Sequence, residues 1–290
     1  MTNAASSIRD VKHGRRTRVS RKASSLALHI VLIIGGLVSL FPLYWMVVAG
    51  TRPSSDIYSA PPALTPGSAL LANLSRLFDG TTFASNMAVS VAVAVLYTVF
   101  AGLVSAMAGF ALAKYTFRGR QALLTVIIIT MTIPFQVTLV PLFELMTSLG
   151  WVNSLQAVVL PFSFNAFGIF FMRQSFLAFP SELIEAARID GAGDFRIFYR
   201  IALPAIRPAL AVLGLLLFMF QWNSFLWPLL VLTEPSMYTA PVFLATLVGL
   251  GQTDYGVLLL GTAIATLPTM ILFLVFQRHF VSGILAGAIK

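Results

Sequence analysis

Six apolar segments, each long enough to cross a lipid bilayer, account for about half of this 290-residue sequence. A hydrocarbon core of roughly 30 Å takes about 20 helical residues. Segments of that kind run over 26–50, 86–113, 121–147, 155–172, 209–232 and 257–276. They predict an all-α polytopic membrane protein with six transmembrane helices. A seventh apolar run, Met237–Leu250, is shorter and contains Pro241, so it is expected to be interfacial or re-entrant. Pro134, Pro141, Pro161 and Pro268 fall inside the spans and are expected to kink them.

Charge sets the orientation. Seven Lys and Arg residues lie in the first 22 positions, three in the Lys114–Arg120 loop, five between Arg173 and Pro208, and two at the C-terminus. Only Arg52 and Arg76 fall on the other side of a six-span chain. Basic short loops mark the cytoplasm, so both ends and the 173–208 loop are expected inside the plasma (inner) membrane. The expected organisation is a basic cytoplasmic tail over 1–24, without structure, and a transmembrane domain over 25–290 with its core at about 86–277. The apolar run after the tail is too long for a secretory h-region and no cleavage site follows it, so it reads as an uncleaved first span.

The remaining composition excludes several classes. A net charge of +9 invites a nucleic-acid reading, but the cations alternate with apolar spans, which fits a lipid membrane and no nucleic acid. With no cysteine there is no disulfide or thiolate site. Charged residues make up 10% of the chain against about 25% in soluble proteins, and the mean hydropathy is +0.89. The stretch Gly109–Thr116 lacks the second glycine before lysine that a phosphate-cradling loop needs, so no nucleotide site is expected in this chain. Glu144 is the one clear carboxylate inside a span; at about 1.5 Å per residue it stands roughly 35 Å from Gln121, near the outer edge. A proton relay would place such groups near the midplane.

The loop over 180–204 is polar and of helical character. Ser181 suits an N-cap, Glu182 and Glu185 favour a first turn, Ala186 and Ala187 make a narrow face, and Gly191 and Gly193 suit a turn with positive φ. Asp194 suits the cap of a second short helix carrying Phe195, Ile197, Phe198 and Ile201, expected to end before Pro204. A loop of this kind could simply pack under its own bundle. However, Glu185-Ala186-Ala187, then Asp190-Gly191, then Ile201, Leu203 and Pro204 at fixed spacing resemble the EAA signature of permease subunits in ABC importers. The resemblance implies that this loop docks on an ATPase and couples its closure to the membrane helices. It also implies a second homologous permease subunit, an ATP-binding subunit dimer carrying the ATP and Mg, and an extracytoplasmic sugar-binding protein. The chain itself would need no cofactor.

The C-terminal Gln277-Arg278-His279-Phe280, with Gly283 and Gly287, and the passage Trp222-Asn223 to Trp227-Pro228 resemble the maltose-type carbohydrate permeases. That resemblance implies sugar import, and a loop before the last span, here with Gln252, Thr253 and Asp254, that reaches the binding protein. Gln136, Asn165, Gln221, Trp222, Asn223 and Ser224 are candidates for lining a sugar pathway, with amides meeting hydroxyls, although taken singly each is more readily a helix–helix hydrogen bond. Import of another polar solute such as a glycerol phosphate or polyol, a secondary carrier or channel, and a membrane scaffold are the alternatives. Thr51–Ser85, rich in Pro and Ser, is expected to hold a short helix whose apolar face rests on the membrane.

Overall fold

The computed structural model describes residues 5–57, 59, 61–249 and 253–288, with side chains described between 25 and 277 within those ranges. Every regular element among them is a helix. The first, α1 (Ala5–Gly50), runs through the basic segment that was expected to lack structure. Residues 5–24 contain no proline and one glycine, so the turns formed by the apolar run propagate backwards into them.

Between α1 and the second span lie α2 (Ser54–Ile57) and α3 (Leu70–Phe78). The apolar edge of α3 faces protein, not the membrane as expected: Leu77 is fully buried with Phe83, Phe243, Val257 and Leu260, while Leu71 stays exposed. The buried amide of Asn73 sets this orientation. It donates to the carbonyls of Gly50 and Arg52 at 2.8 and 3.0 Å.

The second span is one helix, α4 (Phe83–Lys114). The third is two, α5 (Arg120–Thr130) and α6 (Phe135–Ser148), meeting at 100°. The kink expected at Pro134 is therefore a full break. Pro134 has no N–H to give, takes ψ 128°, and disfavours the helical region for Ile133. The fourth span is α7 (Leu155–Val159), a 3₁₀ turn at Leu160–Phe162 and α8 (Ala166–Leu177), bent by 47°.

The next loop contains α9 (Glu182–Ile189), α10 (Asp194–Ile197), a π turn at Phe198–Ala202 and α11 (Leu203–Ala205). It turns by 83° into α12 (Arg207–Trp222). The fifth span, expected to continue to Leu232, stops at Trp222. There the Asn223 amide takes the Met219 carbonyl at 2.7 Å, and the chain leaves the helix over 223–225. The remaining helices are α13 (Leu226–Val231), the short, half-buried α14 (Ala240–Thr246) and α15 (Tyr255–Ala288). As expected, the described residues of the 237–250 run form no helix long enough to cross. Among the described residues three helices are long and apolar enough to span a membrane, or up to six if each bent pair is taken as one span.

The centre is built on α4, α8 and α12, with α1 lying along α15. Small residues permit it. A Cβ at Gly109 would stand 2.7 Å from the Arg173 nitrogen and from the Met172 Cβ, and one at Gly168 would collide with the Ser105 hydroxyl. Close backbone approach is how helices associate where no hydrophobic drive separates them from lipid.

Candidate functional site

The polar loop is a hairpin clamped to the ends of α4 and α8. Helix α9 ends in a Schellman motif: the Ala192 amide donates to the Ala187 carbonyl at 2.9 Å and the Gly191 amide to the Arg188 carbonyl at 3.0 Å. Gly191 carries the left-handed φ of +78° that this requires. Gly193 does not share it: its φ is −70° and its backbone is extended.

Two other expectations fail for a common reason, which is that side chains have better partners elsewhere. Ser181 precedes α9 without capping it; its hydroxyl receives Lys114 Nζ at 3.1 Å. Lys114 also donates to the Phe179 carbonyl at 2.5 Å. Asp194 sits inside α10 and does not cap it; it pairs with Arg188 at 3.2 Å across the turn, and the Arg188 guanidinium lies over the Tyr115 ring at 5.4 Å. Burial raises the Tyr115 phenol above its ordinary pKa, and the Asp194 carboxylate acts in the same direction.

The second helix runs through Pro204, where it was expected to end. The π turn at Phe198–Ala202 explains this, because a wider turn ahead of proline relieves the clash with the carbonyl four residues back. Ile201, Leu203 and Pro204 are half-buried on this stretch. Inward, Ile184, Ala187, Ile197 and Phe198 pack into the core with Phe110 and Phe176, whose rings stand 5.1 Å apart. Outward, Glu185, Ala186 and Asp190 are exposed, with Ile189 87% and Phe195 73% exposed beside them. The hairpin is thus rigid where it meets the bundle and apolar with an acidic edge where it faces away.

The pathway candidates divide. Asn165 caps α8, accepting from the Gly168 amide at 2.7 Å and donating to the Tyr97 hydroxyl at 3.0 Å. Trp222 Nε1 donates to the Ala265 carbonyl at 3.2 Å, tying α12 to α15. Gln221 is buried, and Ser224 is half-buried in the turn after α12. Gln136 and Asn223 are exposed, Gln136 on α6 just after the α5–α6 break and Asn223 in the turn that ends α12. Trp227 is buried, donating to the Ala157 carbonyl at 2.9 Å. The structure brings none of these into one polar cluster.

At the opposite end of the bundle, Gln252 lies outside the described residues, and Thr253 is half-buried. Asp254 is tied down: Arg76 pairs with it at 2.7 Å, Ser54 donates to it at 2.8 Å, and it accepts from the Val257 amide at 3.2 Å, so it caps α15. Gly256 completes the knot, since a Cβ there would stand 2.5 Å from the Arg52 carbonyl. Asn73, Arg76, Ser54 and Lys114 were not singled out from the sequence. Only Lys114, a cation closing a long apolar helix, carried a signal that could have shown it.

The family model for binding-protein-dependent transport system inner membrane components matches residues 99–286. The chain is 37% identical to the arabinooligosaccharides transport system permease protein AraQ of Halalkalibacterium halodurans, over 94% of this chain and 100% of that protein. It is 35% identical to the lactose transport system permease protein LacG of Rhizobium radiobacter, over 94% and 99%. The sn-glycerol-3-phosphate transport system permease protein UgpE of Yersinia pestis is 33% identical over 91% and 97%. Among solved structures, a bacterial ABC transporter involved in the import of the acidic polysaccharide alginate has a chain that superposes with a TM-score of 0.78 at 25% identity, covering 90% of this chain and 98% of that one.

Proposed function

Because the chain belongs to the family of binding-protein-dependent transport system inner membrane components, we propose that it is the permease subunit of an ATP-driven sugar importer, coupled through its α9–α11 hairpin to a separate ATPase. The observation that carries this reading is the two-sided hairpin. Its inner face is fixed to α4 and α8, and its outer face presents Glu185, Ala186 and Ile189 to a partner. An element held this way transmits displacement instead of absorbing it. In this reading a second permease completes the pathway, an ATPase dimer binds ATP and Mg, and an extracytoplasmic binding protein delivers the solute. Both termini and the hairpin then lie in the cytoplasm, a placement that the distribution of Lys and Arg supports.

Relatives whose names specify arabinooligosaccharides and lactose support an oligosaccharide cargo. The pathway candidates are four amides, an indole and a hydroxyl, with no cation among them, which suits neutral hydroxyls better than a phosphate. The test is uptake into proteoliposomes holding the full assembly. Transport of labelled arabino-oligosaccharide or lactose should require ATP and the binding protein and survive collapse of the proton gradient. Uptake that follows the proton gradient without ATP would overturn the importer reading, and uptake of glycerol 3-phosphate alone would overturn the cargo.

A further inference from the structure

Two cavities meet at Phe117. One, of about 390 Å³, is an apolar slot between α4, α5 and α8, walled by Ala111, Leu112, Leu123, Ile127 and Ile169. The other, of about 410 Å³, is lined by Thr116, Phe117, Gly119, Arg120, Gln121 and Ala122, where α4 gives way to α5. We propose that the pair is a binding site for one anionic phospholipid, with an acyl chain in the slot and the phosphate on Arg120, which lines the polar cavity, with the exposed Arg118 close by in the same loop.

Position, charge and shape support this occupant. The polar cavity opens between the end of the Phe83–Lys114 span and the start of the Arg120–Thr130 helix, at headgroup level. The slot runs from Phe117 to Thr130, so at 1.5 Å per helical residue it descends about 15 Å into the hydrocarbon. Among the described residues neither Arg118 nor Arg120 is in an ion pair with a carboxylate. Arg120 uses one donor on the Tyr115 carbonyl at 3.2 Å, leaving the rest of its fork for phosphate. A slot of this volume is too narrow for a helix, whose diameter with side chains is about 10 Å. It fits a single alkyl chain, and the two arginines select an anionic headgroup over a zwitterionic one. The inference needs only the membrane setting and holds whatever the cargo.

The test is photo-labelling of the full chain in nanodiscs of phosphatidylcholine carrying phosphatidylglycerol with a diazirine in its acyl chain. Labelled peptides should come from α5 and α8. Arg118→Gln and Arg120→Gln should each lower labelling about fivefold. Ala111→Phe should block the slot with the arginines intact, whereas Arg200→Gln, at a different cytoplasmic position, should change nothing. Thermal melting of each variant confirms folding. Equal labelling by a phosphatidylcholine probe, or labelling untouched by Ala111→Phe and the arginine variants, would overturn the proposal. So would a cross-link from position 127 to another subunit in the assembled transporter, since protein would then cover the slot.

Discussion

The ammonium of Lys114, the last residue of α4, lies 2.5 Å from the carbonyl oxygen of Phe179, two residues beyond the end of α8. With the Ser181 hydroxyl it forms the one polar bracket between α4 and the start of the hairpin among the described residues. Lys114→Met should keep the methylene packing and lose the bracket. Because Lys114 is only partly buried, the cost in stability should stay at about 1 kcal/mol, that of a partly solvated polar contact. The larger effect should be on coupling: ATP hydrolysed per solute imported should rise. An unchanged ratio would leave Lys114 as a surface cation only.

Gly191 holds φ +78° with open space around it. Gly191→Ala therefore meets no steric neighbour and costs only the backbone conformation, about 1 kcal/mol. Gly193→Ala, at φ −70°, should cost almost nothing. Hydrogen exchange across residues 181–194 would separate the two, with faster exchange in the first variant alone. Identical profiles would contradict the turn geometry.

The Ser105 hydroxyl is buried without a hydrogen-bond partner and stands where a Gly168 side chain would be. Gly168→Ala should destabilise by about 1–3 kcal/mol through overpacking. Ser105→Gly should make most of that cost disappear in the double variant, while Ser105→Ala alone should be neutral or slightly stabilising. Melting temperatures of the four proteins form the cycle, and simple additivity would rule out the contact.

Arg76 and Asp254 join α3 to the foot of α15 at 2.7 Å, and both side chains remain partly open to solvent. A double-variant cycle of Arg76→Gln and Asp254→Asn should give a coupling below about 1 kcal/mol that shrinks as salt is added. Asp254→Ala should cost more than Arg76→Ala, because it also removes the cap on the Val257 amide. Equal costs would mean that the cap carries no weight.

The six spans were legible because hydropathy accumulates over some 20 residues and tolerates local error. Breaks were not. Pro134 and Pro161 stand at or beside sharp bends, yet Pro141 and Pro268 lie inside continuous helices. Proline removes the same donor in each case, and the surrounding contacts decide whether the helix breaks or carries on. The hairpin was readable down to the turn glycine, since Gly191 serves a local need. Ser181 and Asp194 were misread because Lys114 and Arg188 claim their oxygens, and such competition is invisible to spacing. The Asp254 knot joins positions 178 and 200 residues apart, so nothing in the local sequence announces it.

The glycine-lined seam between α4 and α8 has a mechanical consequence. Helices whose backbones touch cannot slide past each other without opening a void, so the two behave as a single beam. Lys114 and Phe179 stand at one end of that beam, and the Asn165–Tyr97 hydrogen bond lies where α8 begins, near the middle of α4. A tilt imposed on the hairpin would reach that middle as rotation of the whole beam, with little loss to bending on the way. Stiffness, more than any single contact, would then set how small a push is enough.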